Sequence, residues 1–263
     1  MSELIQYQLD ANGVAVLRVN RPQARNALNW AMQAQFADVV TAVAQEPSAR
    51  VLIITGAGER AFVSGGDLKE LYLHPEPEAA ERLNRVMGNA LAQLTELPIP
   101  VIGAINGDAF GGGCEIVTAC DLRIATQSAR FSFAQVKNGL TTGWGGAGRL
   151  VRLVGQSCAL ELLLTARLFD AQAALELGLI HRTTSMDKDV FEAAMIWALD
   201  LVNLPRQALA AMKALTYAAG QQPLSKIQQY ETQLFVNLWA TPDHLEALAA
   251  FGEKREPVFN QNP

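Results

Sequence analysis

Near its start the chain alternates apolar and polar positions, in IQYQLDANGVAVLRVN, on either side of Asn12-Gly13. A period of two, broken by a dipeptide suited to positive φ angles, predicts a hairpin. The period then lengthens. In ALNWAMQAQFADVVTAVAQ the residues Leu28, Met32, Phe36, Val39, Val40 and Val43 recur at helical spacing, and the apolar run RVLIITG that follows predicts a buried strand. AGERAFVSGGD is rich in turn formers, and Asp67 is placed to cap a helix beginning LKELYL. A longer helix is expected from about Ala79 to Leu97, stopped by the prolines of LPIP. VIGAIN reads as a second buried strand, GGGCEIVTAC as a turn into a helix, and DLRIAT and ARFSFAQ as short strands.

From about Gly155 the pattern is predominantly helical, through CALELLLTA, AQAALELGL, FEAAMIWALDLVN and RQALAAMKALTYA to LSKIQQYETQLFVNLWA. The order is that of an α/β chain: repeated strand, strand, helix units and then an all-helical end. A boundary is expected near residue 195, dividing a core of 1–195 from a helical region of 196–263. No low-complexity linker or internal repeat interrupts this order.

Composition narrows the classes of function. With 263 residues, half of them apolar, the chain can bury a sizeable core. No apolar run approaches the roughly 20 residues of a membrane span. The opening MSELIQYQ lacks the basic-then-apolar order of a signal peptide, so a cytoplasmic location is expected. Cys114, Cys120 and Cys158 form no CxxC pair and read as reduced core thiols. His74, His181 and His244 lie far apart without an HExxH pattern, so no metal site is expected. A net charge of −5 argues against a nucleic-acid partner, because neutralising phosphates takes a clustered basic excess.

The stretch FGGGCEIV sets three glycines against Glu115. A phosphate cradle at a helix N-terminus is one reading, although neither GxGxxG nor GxxxxGK[ST] is present. A tight strand-to-helix turn with no further role is a second. The third is an oxyanion hole, in which a glycine N–H on the first helical turn stabilises charge developing on a carbonyl oxygen. Such a hole wants a second donor, and Gly65-Gly66, just before Asp67, offers one. Pattern alone does not show that the two turns converge.

SGGDLKEL, INGDAFGGGCEIVTACDLRIAT, GWGGAGRL and LTARLFDAQAALELGLI, in this order and spacing, resemble the crotonase (enoyl-CoA hydratase/isomerase) superfamily; NRPQARNALN and FGEKR extend the resemblance over nearly the whole chain. The resemblance implies a spiral of ββα units with a helical C-terminal trimerisation region. It implies an acyl-CoA thioester as substrate, with coenzyme A part of that substrate and no permanently bound cofactor. The assembly implied is a homotrimer or a dimer of trimers. Carried over by position, the oxyanion donors are the N–H groups of Gly66 and Gly112, and Glu115 is the first catalytic glutamate. Bare backbone at Gly112 is expected to let the thioester approach. Arg25 matches a basic position near the CoA phosphates or adenine. Leu28 and the segment Ala61 to Leu68, with Gly65 and Asp67, match the thioester and adenine side. Phe251 and Lys254 match C-terminal residues that reach the CoA, often from a neighbouring subunit. Gly111, Thr142, Gly143 and Trp144 match the acyl pocket.

One departure changes the chemistry expected. Hydratases of the family carry a second glutamate twenty positions beyond the first, and here that position is Gln135. An amide exchanges no proton near neutral pH, so two-carboxylate hydration is not expected to be efficient. Decarboxylation of a short alkylmalonyl-CoA needs only a stabilised enolate, with Gln135 a hydrogen-bond partner of the leaving carboxylate and Glu115 beside it. Trp144-Gly145-Gly146 is similar to ethylmalonyl-CoA decarboxylases, where hydratases carry a proline-glycine-alanine-glycine-glycine stretch. Two alternatives stand beside this expectation: a short-chain enoyl-CoA hydratase or isomerase using Glu115 alone, and a non-catalytic acyl-CoA binding protein. Lys137 is expected at the surface and Asp121 in a structural role at a helix end.

Overall fold

The alternating start forms β1 (Ile5–Leu9) and β2 (Val14–Val19), paired antiparallel with Leu9 opposite Ala15. The connection is longer than a two-residue turn. Of Asn12 and Gly13 only Gly13 takes a positive φ, at 84°, and the Asp10 carboxylate holds the loop by accepting from the N–H groups of Asn12 and Val14. The computed structural model describes residues 3–185 and 188–260.

Three turns of strand, strand, helix follow. The first runs through α1 (Trp30–Gln45), capped by the Asn29 side chain, into β3 (Val51–Gly56) and β4 (Ala61–Val63). Asp67 caps α2 (Leu68–Leu71), a single turn, before α3 (Pro77–Glu96). Then come β5 (Val101–Ile105), β6 (Asp108–Phe110) and α4 (Gly112–Ala119), followed by β7 (Leu122–Thr126) and β8 (Arg130–Ser132). The remainder is α5 (Gly146–Val154), α6 (Gln156–Thr165), β9 (Phe169–Asp170), α7 (Ala171–Glu176), β10 (Arg182–Thr184), α8 (Val190–Val202), α9 (Arg206–Ala219), α10 (Leu224–Trp239) and α11 (Pro242–Glu253).

Each turn sends its first strand to one sheet and its second to another. The larger sheet has the order β1-β2-β3-β5-β7-β10 and is parallel beyond the hairpin; the smaller has the order β4-β6-β8-β9. The two apolar runs of the sequence are the central strands β3 and β5, covered on both faces. Leu52 and Ile54 enter the core shared with α1 and α3, while Val51 and Ile53 face α8. A strand buried on both sides has no polar face to alternate with, which is why these runs are continuous.

Four strands escape the periodicity. β4 lies in a tract read as turns, β6 between the strand read in VIGAIN and the turn read in GGGCEIVTAC, and β9 and β10 in the tract read as helical; at two or three residues each, they are too short to establish a period. Residue 195 falls inside α8, whose Val190, Ala194 and Ala198 pack on the larger sheet. The helices that leave the sheet begin with α9. Among the described residues no helix is long and apolar enough to cross a membrane.

Candidate active site

Because β4 and β6 are parallel neighbours, the turns at their C-terminal ends lie side by side. Gly65, at φ 99°, and Gly111, at φ 53°, supply the left-handed conformations that these exits need. A Cβ on Gly65 would stand 3.1 Å from the Gly112 nitrogen, so the two turns converge as the sequence alone could not show. The Leu28 N–H donates to Gly65 O at 2.8 Å, and the Asp67 N–H to Leu28 O at 3.0 Å, pinning the first turn. Among the described residues the N–H groups of Gly66 and Gly112 find no backbone acceptor. Two free donors thus stand on adjacent turns, one of them at the positive end of α4.

Packing gives a further reason for bare backbone at Gly112, beside the expected approach of the thioester. A Cβ there would overlap Cζ3 and Cη2 of Trp144, so Gly112 is small to seat an indole. A Cβ on Gly113 would overlap Val63 O, locking α4 onto β4. Trp144 is only 4% exposed and belongs to the main core, which is the packing expected of it.

Glu115, 2% exposed, lies one helical turn beyond Gly111. Its Oε1 accepts from Gln135 Nε2 at 2.9 Å and from Gly143 N at 3.3 Å. Its Oε2 accepts from Trp144 N at 2.7 Å and from Gly146 N at 2.8 Å. Gln135 sits on a 3-10 turn over Ala134–Asn138, and its own Oε1 is buried without a partner. Thr142 Oγ1 accepts from Ala147 N at 3.2 Å, capping α5.

Two participants carried no sequence signal of their role. A Cβ on Gly146 would overlap Glu115 Cγ, so this glycine admits the carboxylate to the loop amides. Arg149 donates to Trp144 O at 2.6 Å and to Thr118 Oγ1 at 3.2 Å, tying the loop to α4. Burial lowers the Arg149 pKa, with the Glu115 charge opposing the shift.

The other sequence candidates divide. Exposed Arg25 lines a surface pocket of about 300 Å³ with Arg60, Asp108, Ser128 and Arg130, and its carbonyl accepts from Ser64 N at 3.2 Å. Leu28 and Ala61 are core residues, at 0% and 2% exposure, so their side chains do not line an accessible surface; Leu28 meets the first turn through its backbone. Asp67 is engaged by Arg21 at 2.5 Å and by the α2 N-terminus, whereas Leu68 is exposed. Phe251 and Lys254 lie at the end of α11, which packs on α10; the Phe251 ring is 86% exposed and touches little of its own chain. Lys137 is exposed, and Asp121 pairs with Lys213. Burial pushes the thiols of Cys114 and Cys120 up, which keeps them protonated.

A spiral of ββα turns that brings two free glycine amides beside a buried glutamate is the crotonase class of fold. The chain belongs to the enoyl-CoA hydratase/isomerase family, whose sequence pattern matches residues 10–262. It is 37% identical over 247 residues to a crotonyl-CoA hydratase of Syntrophomonas wolfei, covering 94% of each chain. It is 34% identical over 246 residues to an ethylmalonyl-CoA decarboxylase of Gallus gallus, covering 93% of this chain and 82% of that one. The crystal structure of an enoyl-CoA hydratase from Bacillus anthracis superposes with a TM-score of 0.94 at 33% identity, over 99% of this chain and 100% of the other.

Proposed function

We propose that the protein is a lyase acting on acyl-CoA thioesters, and that its reaction is decarboxylation of a short alkylmalonyl-CoA. The observation that carries this reading is the Gln135 amide donating to Glu115 Oε1 at 2.9 Å, where hydration chemistry would call for a second carboxylate. In the proposed reaction the thioester oxygen accepts from the Gly66 and Gly112 amides. The bond between the α-carbon and the free carboxylate breaks, its electron pair passes into the thioester as an enolate, and carbon dioxide leaves. The α-carbon then takes a proton from water, leaving hydroxide. No carbon-bound proton is removed, so one group fewer is needed than in hydration. Each donor of such a hole typically contributes about 10²–10³-fold in rate.

A second reading is a short-chain enoyl-CoA hydratase or isomerase that uses Glu115 alone; retention of Glu115 and the similarity to a crotonyl-CoA hydratase favour it. A non-catalytic acyl-CoA binding protein would have no need of two free amides. The test is to incubate the protein separately with methylmalonyl-CoA, ethylmalonyl-CoA and crotonyl-CoA. Carbon dioxide release without water addition supports the decarboxylase; water addition without release overturns it.

Coenzyme A is the carrier part of the substrate in this reading, with Arg25 toward its phosphates. Exposed Phe235, Val236, Trp239, Leu245 and Leu248 support assembly of copies through the C-terminal helices, as a homotrimer or a dimer of trimers. In that assembly Phe251 and Lys254 serve the CoA of a neighbour. Light scattering at the single-chain mass of 28.4 kDa would remove this part of the reading.

A further inference from the structure

An ionised carboxylate offers about four acceptor positions, two on each oxygen. At Glu115 all four are taken: Oε1 by Gln135 Nε2 and Gly143 N, Oε2 by Trp144 N and Gly146 N, at 2.7–3.3 Å. Three of these donors are main-chain amides of the loop that leads into α5, and the same loop carries the indole that lies on Gly112. From these contacts we infer that Glu115 is a positioning residue and not the acid/base of the reaction: an anionic clamp that holds the loop and Trp144 against the oxyanion turn, with Gln135 closing the acceptor position a proton would need.

The neighbours fit a clamp. Gly146 is small because Glu115 Cγ occupies the place of its Cβ, and Arg149 grips the same loop from the other side through Trp144 O. Glutamine at position 115 would face donors with an NH2 group on one side and break two of the four contacts. The enolate then takes its proton from water, and the site cannot remove one from the α-carbon of a saturated thioester.

The inference rests on the acyl-CoA reading, and the experiment separates the two. Binding of butyryl-CoA is established first by quenching of tryptophan fluorescence. The protein is then held in D2O with butyryl-CoA and, separately, with ethylmalonyl-CoA, and the α-position is followed by NMR. Butyryl-CoA is expected to keep both α-hydrogens at the enzyme-free rate, and ethylmalonyl-CoA to yield butyryl-CoA with one new deuterium. Glu115→Gln is expected to slow carbon dioxide release by about a hundredfold, the size of effect seen when a reacting group is misplaced by an ångström. The pH profile should keep its shape, and added acetate should not restore the rate to Glu115→Ala.

Enzyme-dependent exchange into butyryl-CoA that Glu115→Gln abolishes would overturn the clamp, as would rescue by acetate. Absence of both exchange and carbon dioxide release would sink the decarboxylase and leave the clamp standing. Failure of butyryl-CoA to bind would overturn both.

Discussion

Helix α4 has a carboxylate at each end, Glu115 buried and Asp121 half-buried, and the two are held by opposite means. At the front, the Glu115 carboxylate accepts from one amide side chain and three main-chain N–H groups, and the Arg149 guanidinium reaches only the Glu115 main-chain oxygen, at 3.4 Å. Just past the back, Asp121 is paired with Lys213 Nζ at 2.7 Å and accepts from Tyr217 OH at 3.0 Å and Val101 N at 2.8 Å. The back pair is a rivet: Lys213 also reaches Ile99 O at 3.1 Å, so α9 is fastened to the strand and helix ends beneath it. Neutral donors fix the front carboxylate without cancelling its charge, whereas a cation cancels the charge at the back. Trp144, 4% exposed, packs against the front, while the back opens on a cavity of about 540 Å³ lined by Asp121, Arg123, Arg149 and Lys213. In the proposed reading one end of the helix serves chemistry and the other attachment.

The largest effect should come from breaking the rivet. Lys213→Met keeps most of the side-chain length but leaves Asp121, whose side chain is 15% exposed, without its counter-charge. Loss of one partner of a buried pair typically costs about 3–5 kcal/mol, so the urea midpoint should fall steeply. Removing both charges, by Lys213→Met with Asp121→Asn, should recover most of that loss. Carbon dioxide release per folded molecule should stay the same in both variants. A wild-type midpoint in Lys213→Met would show that the rivet carries no load, and a parallel loss of turnover would show that the two ends are not independent.

The next effect should be a change of chemistry at the front. Gln135→Glu sets a second carboxylate where the amide nitrogen now lies 2.9 Å from Glu115 Oε1. Two carboxylates so close cannot both stay ionised, so one proton is shared and the clamp opens. An acid/base group typically contributes about 10²–10⁴-fold, so water addition to crotonyl-CoA should rise by at least the lower figure while carbon dioxide release falls. No gain of hydration would show that the residue at 135 does not select the reaction. The back of the helix, and with it the urea midpoint set by Lys213, should move little.

Much of this contrast was hidden in the sequence for identifiable reasons. β3 and β5 were legible because burial on both faces makes an unbroken apolar run, and α1 and α3 because their apolar residues keep a helical period. The glycine turns were legible as turns. Their convergence was not, because it depends on β4 and β6, three-residue strands with no period to read. Glu115 and Gln135 could be paired through the resemblance, yet the resemblance marked Glu115 as a catalyst and gave no sign that all its acceptor positions are filled. The second reason for glycine at 112, the indole of Trp144 against it, is not legible, because no local pattern encodes where that indole lies in the fold. The Asp121–Lys213 pair joins residues 92 positions apart, and nothing in either neighbourhood announces the other.

The smallest effect concerns pH, and it should touch the back alone. His181 lines the same cavity, and its Nδ1 accepts from the Arg123 N–H at 3.2 Å. Partial burial pushes its pKa down from 6.5 to about 4, with the charges of Arg123 and Arg182 adding to the shift. The unfolded chain therefore binds a proton that the folded chain refuses between those values. Stability is full above pH 6.5 and is lost as the pH falls toward 4, because burial and the neighbouring arginine charges disfavour the imidazolium in the folded chain. Solvent around the imidazole screens the effect, so it should be small beside the loss of Lys213. His181→Asn keeps an acceptor without a proton to gain, and its urea midpoint should depend less on pH over that range. Carbon dioxide release per folded molecule should be the same in wild type and variant at pH values near 6, since the imidazole is held by the Arg123 N–H and the Trp197 ring, both away from the front. An unchanged slope in His181→Asn would assign the acid sensitivity elsewhere, and a change in turnover would mean that the back of α4 reaches the reacting atoms after all.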